Sequence, residues 1–154
     1  MLEYSEAFNS GDRMAERITK DSFKSYGWVI EFPKDKLKNN GKSLFCVVRK
    51  DRKAAGWRIA YLIVRDKSLN KLEQHINTLE SFEPVCGKTI LYVSEAKVPS
   101  KIRRFRLDRP VILKKGIWHG VVTQGRQSEI KITENAVVKS AYWKLGFVLN
   151  GCKK

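Results

Sequence analysis

The sequence predicts an all-β barrel or sandwich, and three observations carry that prediction. Short runs of β-branched and aromatic residues recur along most of the chain, separated by turn-forming residues. No heptad, long amphipathic helix, internal repeat or low-complexity segment competes with them. At 154 residues the chain has the length of one domain, and 42% hydrophobic content with four tryptophans supplies a core.

Residues 1–18 read as a polar arm, with Asn9-Ser10-Gly11-Asp12 as a turn cluster. Thr19 then caps a short helix through KDSFKSY, which presents Phe23 and Tyr26 at i and i+3 and stops at Gly27. Trp28–Phe32 is a β-type run ended by Pro33. Lys34 to Lys42 form a basic loop with Asn39-Asn40-Gly41 as its turn. Ser43–Arg49 and Trp57–Val64 flank the polar DRKAAG segment and are expected to pair as a hairpin. Leu72–His75, Thr89–Val93, Ile102–Leu107, Pro110–Leu113, Ile117–Val122 and Glu129–Thr133 follow as strands. Val137–Leu149 reads as one or two further strands or as a terminal helix. The expected organisation is an arm (1–18), a barrel (19–135) and a C-terminal extension (136–154) packed on it.

Charge narrows the partners. The chain carries 31 basic and 16 acidic residues, a net charge of +15, and its pI is near 9.9. Such a surplus favours anionic ligands over cationic ones. Cys46, Cys86 and Cys152 form no CxxC pair and are odd in number, which argues against a disulfide framework. No apolar run approaches the ~20 residues that span a bilayer. A reduced, cytoplasmic protein without membrane attachment is expected. G-x-S-x-G and Gly-rich phosphate loops are absent, so nothing points to nucleophilic or nucleotide chemistry.

The chain has only two histidines, His75 and His119. His75 lies in Glu73-x-His75-x4-Glu80-x6-Gly87, and His119 in Gly116-x-x-His119, 44 residues downstream. Side chains two apart on a strand share a face, so Glu73 and His75 are expected to point inward together. A turn at Asn77 and Thr78 lets Glu80 return to the same cavity, and His119 arrives from another strand. Two imidazoles and two carboxylates suit a divalent ion such as zinc, manganese, iron or nickel. Glu73, His75, Glu80 and His119 are the candidate ligands, and His75, His119 and Glu80 the candidate catalytic residues. In Lys101-Ile102-Arg103-Arg104-Phe105-Arg106, alternation puts Arg103, Phe105 and Leu107 on one face. Arg103 is therefore a candidate partner of a substrate carboxylate, the alternative being a solvated strand edge guarded by charge, and Trp118 is expected to pack beside the site as a second substrate contact.

This spacing resembles the cupin superfamily, whose first motif runs His-x-His, three or four residues, Glu, six residues, Gly, and whose second contains Pro-x-Gly-x-x-His. Glu73 takes the place of the first histidine, while His75, Glu80 and Gly87 match. Lys114 stands where proline is usual, and Gly116 and His119 match. The resemblance implies a cupin-type double-stranded β-helix, a jelly-roll barrel. Within the superfamily the chain resembles the ureidoglycolate lyase family over about residues 19–133. Phe23-Lys24-Ser25-Tyr26-Gly27-Trp28-Val29-Ile30-Glu31, Leu72-Glu73-Gln74-His75 with Ser81-Phe82-x-Pro84, Arg103-x-Phe105 and Trp118-His119 carry that likeness. It implies cleavage of ureidoglycolate to glyoxylate and urea. The chain departs from that family at Glu80, where a glutamine is usual, at Leu113, where a tyrosine is, and at Gly120-Val121, where His-Pro follows. The expected function is a metal-binding cupin acting on a small anionic, carboxylate-bearing metabolite in a lyase-type reaction. The alternatives are a non-catalytic ligand-binding or structural cupin and, behind it, a basic nucleic-acid-associated protein. The apolar content of Val137–Leu149 adds the expectation of a homodimer.

Overall fold

Most of the apolar positions alternate with polar ones, and that period of two is spent on strands that cross between two sheets. The structure, a computed structural model, describes residues 14–95 and 101–151. Its elements are β1 (Glu16–Arg17), α1 (Lys20–Phe23), β2 (Gly27–Val29), a 3-10 turn (Lys34–Lys36), β3 (Arg58–Val64), β4 (Ser68–His75), β5 (Glu80–Cys86), β6 (Thr89–Ser94), β7 (Arg103–Arg106), β8 (Val111–Leu113), β9 (Trp118–Thr123), β10 (Ser128–Glu134) and β11 (Ser140–Asn150). Thr19 caps α1 through a reciprocal bond with Ser22.

Eight of these strands form a jelly roll. One sheet runs β1-β7-β6-β9-β4-β11 and the other β2-β8-β5-β10-β3. Strands β3, β4, β5 and β6 pair antiparallel with β10, β9, β8 and β7 respectively. A long hairpin is thus wound on itself, which is the double-stranded β-helix expected from the sequence. Strands β2, β11 and β1 extend its edges. Among the described residues no helix is long and apolar enough to cross a membrane.

The space between the sheets is filled by Phe23, Tyr26, Val64, Phe82, Leu91, Val93, Phe105, Leu107, Val111, Leu113, Ile130 and Ile132, among others. Phe105 sits at the centre of an aromatic group, 5.4 Å from the Phe23 ring and 5.9 Å from that of Tyr26. A fully buried side chain of this size stabilises the fold by roughly 1.5–3 kcal/mol. The other face of the six-stranded sheet is also covered. There Leu72, Ile90, Tyr92 and Val122 pack under Leu145 and Leu149 of β11, with Trp118 and Trp143 in contact. Strand β6 is consequently buried at all six positions.

Two expectations are corrected. Residues 43–49 form no strand, and β3 pairs with β10 over seven residues instead. That register turns Ala60, Leu62 and Val64 toward the core. Strand β5 was not expected, because its sequence ESFEPVC is polar and contains Pro84. The proline sits next to the register shift between Glu129 and Ile130 of β10, where a strand tolerates its missing N–H. The stretch from 140 to 150 is strand rather than helix, and Trp143, Leu145 and Leu149 pack against the chain's own sheet. Gly87 explains the glycine of the first motif. It turns the chain from β5 to β6 at φ +79°, and a Cβ there would meet Gln127 O at 2.6 Å.

Candidate metal centre

Alternation on four strands brings the acidic and imidazole groups together between the sheets. Strand β4 carries Glu73 and His75 two residues apart on one face. Strand β9 sets His119 directly opposite Glu73. From the facing sheet, β5 contributes Glu80 at its first residue and β10 contributes Glu134 at its last. His75, Glu80, His119 and Glu134 are buried. The Glu73 side chain, 38% exposed, forms the solvent side of the cluster.

The distances are short throughout. His119 Nε2 lies 3.1 Å from Glu80 Oε2 and 3.6 Å from Glu73 Oε1. His75 Nε2 lies 3.6 Å from Glu80 Oε2 and 3.8 Å from Glu73 Oε1. The two imidazole rings are 5.2 Å apart, edge to face, and Phe82 lies against His119 at 5.5 Å. Ligand-bearing atoms fall into two overlapping triads, Glu73–His75–His119 and His75–Glu80–Glu134, each within 4.8 Å internally. Glu73, His75, Glu80 and His119 thus meet in one place, though as parts of two triads rather than one equidistant set.

Each imidazole is held by its far nitrogen. His119 Nδ1 is 3.0 Å from the carbonyl of Ile117. A carbonyl only accepts, so Nδ1 carries the hydrogen and, in the neutral ring, Nε2 is a bare lone pair. That lone pair faces the Glu80 carboxylate, and both Nε2 and Glu80 Oε2 are buried with no hydrogen-bond partner. Two buried acceptors 3.1 Å apart repel unless a proton or a metal cation lies between them. His75 Nδ1 is 3.0 Å from Ser140 Oγ on β11. Outer contacts of this kind orient imidazoles toward an ion.

The electrostatics of the cluster carry the same strain. Burial pushes the Glu80 carboxyl up to about 7. Burial depresses His119, but the Glu80 and Glu73 carboxylates outweigh it and the ring is raised overall. His75 is lowered by burial and by the neighbouring His119, while Glu73 is lowered chiefly by its contact with His119.

The remaining predicted residues lie elsewhere. Arg103 stands in the same register row as His119, with Val93 between them, but its guanidinium turns away to the Glu16 carboxylate and the Ser22 carbonyl. It lies over the Tyr26 and Phe105 rings, and the adjacent Glu16 raises its pKa further. Trp118 precedes His119 on the strand and therefore points to the opposite face, 6.0 Å from Trp143. The sheet separates it from the cluster. Glu134 was missed by the sequence reading. Its signal is an acid where the row Ile130, Ile132 calls for a third apolar residue. Two surface cavities of about 380 and 590 Å³ lie against residues 20–52 and share no residue with the cluster.

No protein-family model matches the chain, and no curated protein matches it. Solved structures of Bacillus subtilis oxalate decarboxylase are similar. One determined at pH 4.6 has 18% identity and a TM-score of 0.45, covering 59% of this chain and 24% of the other. A structure from work on the Mn(II) centres of that enzyme matches with the same values. The chain spans about a quarter of the length of these decarboxylases.

Proposed function

We propose that this chain is a metal-binding cupin that holds one divalent first-row ion through Glu73, His75, Glu80 and His119 and acts on a small carboxylate-bearing metabolite. The observation that carries the reading is the Glu80–His119 contact. A fixed tautomer aims a lone pair at a carboxylate in a buried space, and a divalent ion satisfies both acceptors and His75 with them. When bound, the ion supplies Lewis acidity toward a substrate carboxylate, carbonyl or hydroxyl. Ile117 and Ser140 orient the imidazoles, Phe82 limits water on the core side, and the half-exposed Glu73 marks the route of access. The +15 net charge draws anions toward it.

The resemblance to ureidoglycolate lyase supplies the reaction to test first, release of glyoxylate and urea from ureidoglycolate. Metal analysis of protein purified without added metal, followed by assay of the loaded protein, tests both parts. Retention of about one ion per chain, lost in His75→Ala, supports the ion. Absence of any retained or titratable divalent ion overturns it.

A non-catalytic, ligand-binding role is favoured by one observation. Two basic side chains that could orient a substrate carboxylate are already committed, Arg103 to Glu16 and Arg58 to Glu134. A substrate carboxylate would then rely on the ion alone for its orientation. Turnover of no carboxylate substrate by fully loaded protein, with anions still binding, would establish this role.

A further inference from the structure

Glu134 is the one buried acid of the cluster that no motif predicts, and its bonding is lopsided. Its side chain is 4% exposed. Oε1 accepts from both Nε (3.0 Å) and an Nη (2.7 Å) of Arg58. Oε2 is buried and has no hydrogen-bond partner. A guanidinium commonly engages both carboxylate oxygens, one per N–H. Here both bonds go to one oxygen and the other is left bare, and the Glu134 carboxylate belongs to the triad with His75 and Glu80. Leaving such an acceptor buried and unmet is costly, so its placement beside two further ligand atoms needs a cation to explain it.

Charge gives an independent reason. With both imidazoles neutral, the carboxylates of Glu73, Glu80 and Glu134 sum to −3, and Arg58 brings the cluster to −2. One divalent ion neutralises that sum.

We propose that Glu134 is a fifth protein ligand, its Oε2 taking a coordination position that water would otherwise fill while Arg58 holds the other oxygen. This rests on the metal-binding reading above. Two imidazole nitrogens and three carboxylate oxygens then leave one of six positions for a substrate oxygen. Such an oxygen-rich, six-coordinate set suits an ion of the manganese type better than zinc, which is usually tetrahedral in proteins.

The test uses the full chain, stripped with chelator and titrated with Mn2+ or Zn2+. Free Mn2+ is followed by electron paramagnetic resonance, and water on the bound ion by proton relaxation. Glu134→Gln is expected to weaken Mn2+ binding by more than ~100-fold, beyond the 10–100-fold effect of an outer contact, to add one water to the bound ion, and to weaken Zn2+ less. The new amide can donate to Glu80, so the ion-free variant should melt no lower than wild type, whereas loss of a purely structural acid would lower it. Glu134→Asp, which keeps the charge but withdraws the oxygen, should gain the same extra water. Unchanged Mn2+ affinity and hydration in both variants would overturn the inference. His75→Ala separates the two levels of the argument. If it abolishes binding while the Glu134 variants bind as wild type, only the fifth ligand falls. If it binds as wild type, or if wild type binds neither ion, the metal reading falls and the fifth ligand with it.

Discussion

Arg103 and His119 flank the same residue, Val93, in one register row, yet the two polar groups meet opposite fates. Arg103 finds Glu16, a carbonyl and two aromatic faces, so its charge is matched within the protein. His119 finds two carboxylates and a tautomer that presents a lone pair to one of them. The first cluster is complete as the chain supplies it. The second holds buried acceptors on Glu80, His119 and Glu134 without partners. Buried polar groups are costly unless satisfied, so an incomplete cluster beside a complete one marks where a ligand belongs.

The sharpest way to break this contrast is to remove His119. His119→Ala should lower divalent-ion affinity by more than ~100-fold, since loss of a direct ligand exceeds the 10–100-fold effect of an outer contact. Arg103→Met should leave ion affinity unchanged. Equilibrium dialysis with elemental analysis reads both. Equal losses in the two variants would mean that the two clusters do not differ in ion binding.

A second effect lies in the pH dependence of the ion-free protein. Glu80 has a folded pKa of about 7 against an ordinary 4.5. Between those values the folded state keeps a proton that the unfolded chain releases, so stability falls as pH rises through the window. The full difference is on the order of 3 kcal/mol. His119, also raised, loses its contribution in the same direction as pH rises through its folded pKa. His75, depressed, acts oppositely as pH falls below its ordinary 6.5. Glu80→Gln therefore isolates the Glu80 contribution, and it should remove most of the slope in urea melts between pH 5 and 7, a range within that window. Excess divalent ion should reverse the slope, because ligands must shed protons to bind it. A wild-type ion-free protein that gains stability across this range would contradict the buried environment assigned to Glu80.

What the sequence showed of these clusters depended on how local the signal was. Glu73 and His75 were legible because strand alternation sets both on one face within three residues. Gly87 marked a turn that only positive φ allows. Strand β5 was not legible, since Pro84 reads as a breaker until the bulge opposite it is known. The direction of Arg103 was read correctly at the backbone and wrongly at the guanidinium. Alternation fixes the Cβ, while a long side chain goes where its acid partner is, and Glu16 is 87 residues away. Trp118 was placed by adjacency to His119, which on a strand means the opposite face. Glu134 needed the partner strand, because Arg58 lies opposite it only once β3 pairs with β10.

The smallest expected effect tests the complete cluster. Glu16 and Arg103 are both partly exposed, at 42% and 36% of their side chains, so solvent screens their attraction. Exposed pairs of this kind contribute about 0–1 kcal/mol. Glu16→Gln should therefore cost at most about 1 kcal/mol in denaturant melts, because Arg103 keeps the Ser22 carbonyl and its contacts over Tyr26 and Phe105. Ion affinity should not change, since no atom of the pair reaches the two triads. A stability loss well above this, or any weakening of ion binding, would mean that the Val93 row couples the two clusters. The matched pair would then be part of what shapes the ion site.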